Sequence, residues 1–138
     1  MKILVVDDNE MNLKVARGLM SIYKVQIDTA RDGEAAVEMV QDKQYDLVFM
    51  DHMMPVMDGI EATQTIRQMD EEYCRKLPII ALSANATADA RKMFIEANMN
   101  DFVAKPIREK ELEECLRKWL PKELLISTDG NEIPDTED

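Results

Sequence analysis

Short apolar runs alternate five times with stretches whose apolar residues recur at helical spacing. Ile3-Leu4-Val5-Val6 opens the series, and beyond Asp7-Asp8-Asn9 the positions Leu13, Ala16, Leu19, Met20 and Tyr23 fall on one helical face. Val25-Gln26-Ile27-Asp28-Thr29-Ala30 alternates apolar with polar residues, as a half-exposed edge strand does, and a helix with Ala36, Val37 and Val40 follows Gly33. Leu47-Val48-Phe49-Met50 ends at Asp51. After a loop containing Pro55, Asp58-Gly59-Ile60-Glu61 has the form of a capping box and predicts a third helix through Thr63 and Ile66. Ile79-Ile80-Ala81-Leu82 runs up to Ser83 ahead of a helix with Met93, Phe94 and Ala97. Phe102-Val103-Ala104 runs up to Lys105 ahead of a helix with Leu112, Leu116, Trp119 and Leu120.

Strands that alternate with helices pair in parallel through right-handed crossovers, so the class is α/β. Strands one, three and four are continuously apolar, as central strands covered on both faces are, while strand two belongs at an edge. The predicted architecture is a doubly wound, five-stranded parallel sheet in the order 2-1-3-4-5.

At 138 residues and 46% hydrophobic, the chain fits one domain with a substantial core. Its net charge of −11 disfavours nucleic acid and anionic lipid as partners. No apolar run approaches a membrane span, and the chain reads as soluble and cytosolic. Two cysteines without a CxxC pair and a single histidine suggest neither a zinc site nor a disulfide framework, so any metal is held by oxygen. Residues 121–138 hold one lysine against six acidic residues and read as an acidic tail or linker after a domain of residues 1–120.

In such a sheet the ligand crevice lies outside the carboxyl ends of the strands, at the switch point between strands one and three. Those ends carry Asp7 and Asp8, Asp51, Ser83 and Lys105. Three carboxylates held together repel, and Mg²⁺ is the natural counter-ion for an all-oxygen site. A carboxylate beside a divalent cation can attack phosphorus when the transferring oxygens meet positive charge and donors, which Lys105 and Ser83 can supply.

The segments Leu4-Val5-Val6-Asp7-Asp8-Asn9, Met50 to Gly59, Ala81-Leu82-Ser83-Ala84 and Lys105-Pro106 together resemble the receiver domains of two-component response regulators, with the flavodoxin-like (βα)5 fold. The resemblance covers about residues 2–120. It implies that Asp51 accepts a phosphoryl group from a phosphohistidine, that Asp7, Asp8, Asp51 and the backbone carbonyl of Met53 bind Mg²⁺, and that Lys105 and Ser83 contact phosphoryl oxygens. Ser83 and Phe102 would form the switch, altering the surface of the fourth helix, fifth strand and fifth helix, and Lys105-Pro106 would be a cis peptide. Phenylalanine replaces the tyrosine often found at this place, so readout through an aromatic hydroxyl is lost. Asp7-Asp8-Asn9-Glu10-Met11-Asn12 and the wording around Asp51 look most like receivers at the ends of hybrid histidine kinases. The implied partner is a sensor histidine kinase or a histidine-phosphotransfer domain, and the resemblance also admits a homodimer formed on phosphorylation. A strand opening at Met1 and a charged tail fit either a domain excised from a longer protein, whose parent would have room for a membrane anchor, or a stand-alone receiver.

Other readings compete. Asp7-Asp8 alone would be a surface turn, Ser83 could cap the next helix as Asn85 or Thr87 could, and Phe102 could simply pack. His52 should face away from Asp51 and pack rather than act as a base. Met53, Met54 and Met57 read as gap filling, Cys115 lies on the apolar face of the last helix, and Cys74 falls in a polar connection. A small phosphatase using Asp7 as nucleophile, a nucleotide- or flavin-binding domain, and a docking-only receiver are the alternatives. The four glycines form neither GxGxxG nor a P-loop, which weakens the nucleotide reading.

Overall fold

The computed structural model describes residues 2–23, 25–52, 57–69, 71–84, 87–105 and 107–120. In chain order the elements are β1 (Lys2–Val6), α1 (Glu10–Met20), β2 (Gln26–Ala30), α2 (Gly33–Asp42), β3 (Leu47–Asp51), α3 (Gly59–Arg67), α4 (Glu72–Lys76), β4 (Ile79–Ser83), α5 (Ala88–Glu96), β5 (Asp101–Ala104) and α6 (Glu109–Trp119). The five strands form one parallel sheet in the order β2-β1-β3-β4-β5. This is the predicted doubly wound topology. β3 and β4 are buried along their whole length, whereas β2 is mostly half-buried and lies at an edge, as its alternation predicted.

Successive strand residues point to opposite faces, so the sheet divides the core in two. Leu4, Val6, Val48, Met50 and Ile79 pack with Val40, Ile66 and Phe94 on one face. Ile3, Val5, Leu47, Phe49 and Ile80 pack with Leu13, Met20, Leu112 and Leu116 on the other. Each such large apolar side chain, once fully buried, contributes about 1.5–3 kcal/mol relative to exposure. The helices begin where the sequence supplies caps: Asn9, Asp32, Asp58 and Thr87 each accept from a backbone N–H in the first turn, at 2.8, 2.8, 2.9 and 3.1 Å. Thr87, not Ser83, caps α5.

The short helix α4 was not predicted. A five-residue turn carries too little periodicity to register, and tertiary contacts hold it. The Arg67 guanidinium donates to the carbonyls of Cys74 (3.0 Å), Leu77 (2.7 Å) and Asn98 (3.1 Å) and to Asn100 Oδ1 (2.7 Å). Cys74 is correspondingly buried at 1% exposure rather than lying in a polar connection, and burial raises its thiol pKa. Asn98 supplies the one positive φ among the described non-glycine residues, +69°, at the turn that Arg67 grips. Among the described residues no helix is long and apolar enough to cross a membrane.

Candidate functional site

Each strand end at the crevice is pinned to its neighbour through the backbone. Asp7 N–H donates to Ala30 O (3.0 Å), His52 N–H to Leu82 O (3.0 Å) and Lys105 N–H to Ser83 O (2.8 Å). The pairing of Ser83 with Ala104 and of Asp51 with Leu82 sets the ends level. Behind β3, Gly59 N–H donates to His52 O (3.1 Å), and a Cβ on Gly59 would collide with the Asp51 carbonyl oxygen. The glycine thus lets α3 start directly against the strand end that carries Asp51.

Asp7, Asp51 and Ser83 are buried, at 0%, 3% and 3% exposure, and Asp8 faces solvent. Carboxylate oxygens of Asp7, Asp8 and Asp51 lie within 4.8 Å of one another. Lys105 Nζ bridges two of them, 2.7 Å from Asp51 Oδ1 and 3.1 Å from Asp7 Oδ2. Asp7 is further held by the Asn9 N–H on Oδ1 (2.9 Å) and by the Asn12 amide on Oδ2 (3.1 Å). Burial pushes the Asp51 pKa up to about 6; the hydrogen bond from Lys105 opposes the rise and the charge on Asp7 adds to it. Burial lowers the Lys105 pKa, but the bonds to Asp51 and Asp7 outweigh it, so the ammonium is held more firmly protonated than a free lysine.

Phe102 lies one strand further out, partly buried against the α5 side of the sheet. Its ring is 6.4 Å from that of Phe94, and the Arg91 guanidinium sits 4.5 Å from its centroid. His52 packs edge-on against Phe94, at 5.1 Å and 80°, which is the packing role expected of it. Asp7, Asp8, Asp51, Ser83 and Lys105 therefore converge as predicted. Sequence reasoning missed the tie from Asn12 to Asp7, for which a polar residue one turn into α1 was the only signal, and the contact of Arg91 with Phe102, which carried none. The Met53 carbonyl, Asn85, the Lys105–Pro106 peptide and the acidic tail lie outside the described residues.

Comparison with known proteins decides the family. The family model of the response regulator receiver domain matches residues 3–117. The chain belongs to this family. Among curated relatives, the receiver is 39% identical over 119 residues to the sensor protein GacS of Pseudomonas syringae pv. syringae, an alignment that covers 86% of the chain and 13% of GacS. The chain thus spans about an eighth of that relative's length. Among solved structures it is similar to the receiver domain of the sensor histidine kinase PA1611 from Pseudomonas aeruginosa, crystallised with a magnesium ion in its active-site cleft, with 38% identity, a TM-score of 0.77 and coverage of 86% of this chain and 95% of that one. It shares its fold with the Saccharomyces cerevisiae Ssk1 receiver, solved with the histidine phosphotransfer protein Ypd1, at 24% identity and a TM-score of 0.80 over 96% of this chain and 95% of that one.

Proposed function

We propose that this receiver accepts a phosphoryl group on Asp51 from a phosphohistidine, with Mg²⁺ bound beside it, and passes the signal through a Ser83/Phe102 switch. The observation that carries the reading is the buried Asp51 carboxylate sharing one ammonium, Lys105, with Asp7 at the switch point of the sheet. In the transfer, an Asp51 carboxylate oxygen forms a bond to phosphorus as the nitrogen–phosphorus bond of the donor breaks, and the imidazole leaves with that electron pair. Lys105 turns from the carboxylates to the phosphoryl oxygens, and the Ser83 hydroxyl donates to another. Hydrolysis returns the carboxylate, so the domain assists its own phosphorylation and dephosphorylation without being an enzyme in the ordinary sense.

The donor set fits Mg²⁺: three carboxylates in reach of one another, oxygen only, one of them open to solvent. Asp7, Asp8 and Asp51 would hold the ion, with the Met53 carbonyl as a fourth ligand. When bound it would neutralise phosphoryl charge. A phosphatase using Asp7 is disfavoured, because position 9, where its second carboxylate would stand, is Asn9. The relation to GacS and the pairing of Ssk1 with Ypd1 support a sensor kinase or histidine-phosphotransfer protein as donor.

A phosphotransfer protein carrying radiolabelled phosphohistidine tests the assignment. Label moves to the native chain and not to Asp51→Asn, and the product is base-labile, as an acyl phosphate is. Transfer that persists unchanged in Asp51→Asn would place the acceptor elsewhere.

A further inference from the structure

β5 is an edge strand held differently on its two sides. On the α6 side Lys118 and Trp119 both donate to Asp101 Oδ2, at 3.3 and 3.0 Å, and Asp101 Oδ1 accepts the backbone N–H of Phe102 at 2.9 Å, so the strand itself is fixed. On the α5 side, among the described residues, the Phe102 ring packs on the apolar cluster that includes Phe94 and lies under one cation. Phe94, buried at 1% exposure, lies beneath it, and Arg91, one turn earlier on α5, covers it. Beside them opens a groove of about 480 Å³ between α5 and α6, lined in part by Arg91, Phe102, Glu111 and Lys118. The ring is therefore not enclosed. A tyrosine here would have a hydroxyl to anchor it; phenylalanine has none, and the Arg91 guanidinium supplies a directional contact to its ring. Inward, Phe94 touches His52, the residue after Asp51, so packed rings lead from the phosphoacceptor to the exposed cation.

From this geometry we propose that Arg91 is a positioning residue that holds Phe102 in its resting place and so sets how readily the domain reaches its phosphorylated form. The inference rests on the phosphoacceptor and switch reading above. A cation over an aromatic face at an exposed site shifts a two-state equilibrium by about two- to fivefold. As a contact of the resting form, its loss favours the phosphorylated form.

The test is calorimetric titration with beryllium fluoride, a phosphoryl mimic, in saturating Mg²⁺. Half-saturation falls about two- to fivefold in Arg91→Met, which keeps the aliphatic stem, and stays near native in Arg91→Lys, which keeps the cation. In a Phe102→Leu background Arg91→Met changes nothing. Equal titrations of native chain and Arg91→Met, a rise in half-saturation, or the same shift with Leu at position 102 would each overturn the role of Arg91. A native chain that binds no beryllium fluoride and forms no phosphoryl adduct would instead bring down the phosphoacceptor reading, and this inference with it.

Discussion

Lys105 sets the electrostatics of the site, because one ammonium is shared between two buried carboxylates and a third lies close by. Two like charges 4 Å apart cost about 4 kcal/mol at an effective dielectric of 20, so an additional cation relieves a repulsion that a single lysine only partly offsets. Mg²⁺ is therefore expected to raise the melting temperature, by about 2.7 kcal/mol of stabilisation when present at a hundredfold its dissociation constant. Asp8→Ala should remove most of that shift in a thermal melt, since exposed Asp8 can be truncated without stranding a buried charge. An equal shift in both proteins would mean that the ion binds elsewhere. A second carboxylate makes a stability argument away from the site. The Tyr45 hydroxyl donates to Asp28 at 2.7 Å and, with Lys43, holds the Asp28 pKa below the ordinary carboxylate range. A depressed folded pKa stabilises above the unfolded value of about 3.9, and the contribution is lost as pH falls through the lower folded value. Melts of the native chain and Asp28→Asn should accordingly differ at neutral pH and converge in acid as the folded carboxylate protonates; a gap that stays constant as the pH falls would contradict the assignment.

At the scale of elements, what matters is how closely helices approach the strand ends. Gly59 opens α3 with no room for a side chain against the Asp51 carbonyl, whereas Gly18, exposed in the last turn of α1, has nothing within 4 Å of where its Cβ would stand. Opposite outcomes follow for the same substitution. Gly59→Ala should destabilise by about 1–3 kcal/mol through overpacking. Gly18→Ala should stabilise by about 0.5–1 kcal/mol through helix propensity. Denaturant midpoints measured at unchanged slope separate the two, and a tolerated Gly59→Ala would show that α3 can slide outward at little cost. Four caps on side chains of the expected types explain why α1, α2, α3 and α5 were legible. α4 was not, because its stability comes from Arg67 of the preceding helix donating to carbonyls within and just after it rather than from any local pattern.

For the molecule as a whole, sheet order and site position follow from one rule: apolar strands go to the centre, and polar residues at their carboxyl ends meet at the switch point. That rule places Asp7, Asp8, Asp51, Ser83 and Lys105 together from sequence alone, since each directly follows or ends an apolar run. It does not reveal which partners those side chains choose. The sharing of Lys105 between Asp7 and Asp51, the brace from Asn12 and the cover of Phe102 by Arg91 depend on rotamers and helix placement, which leave no periodicity to read. The central claim is that Asp51 is the phosphoacceptor. Intact mass after incubation with a small-molecule phosphodonor, with and without Mg²⁺, tests it most directly. A single Mg²⁺-dependent gain of about 80 Da, one phosphoryl group, is expected in the native chain and none in Asp51→Asn. An adduct that survives in Asp51→Asn, or forms equally without Mg²⁺, would contradict it.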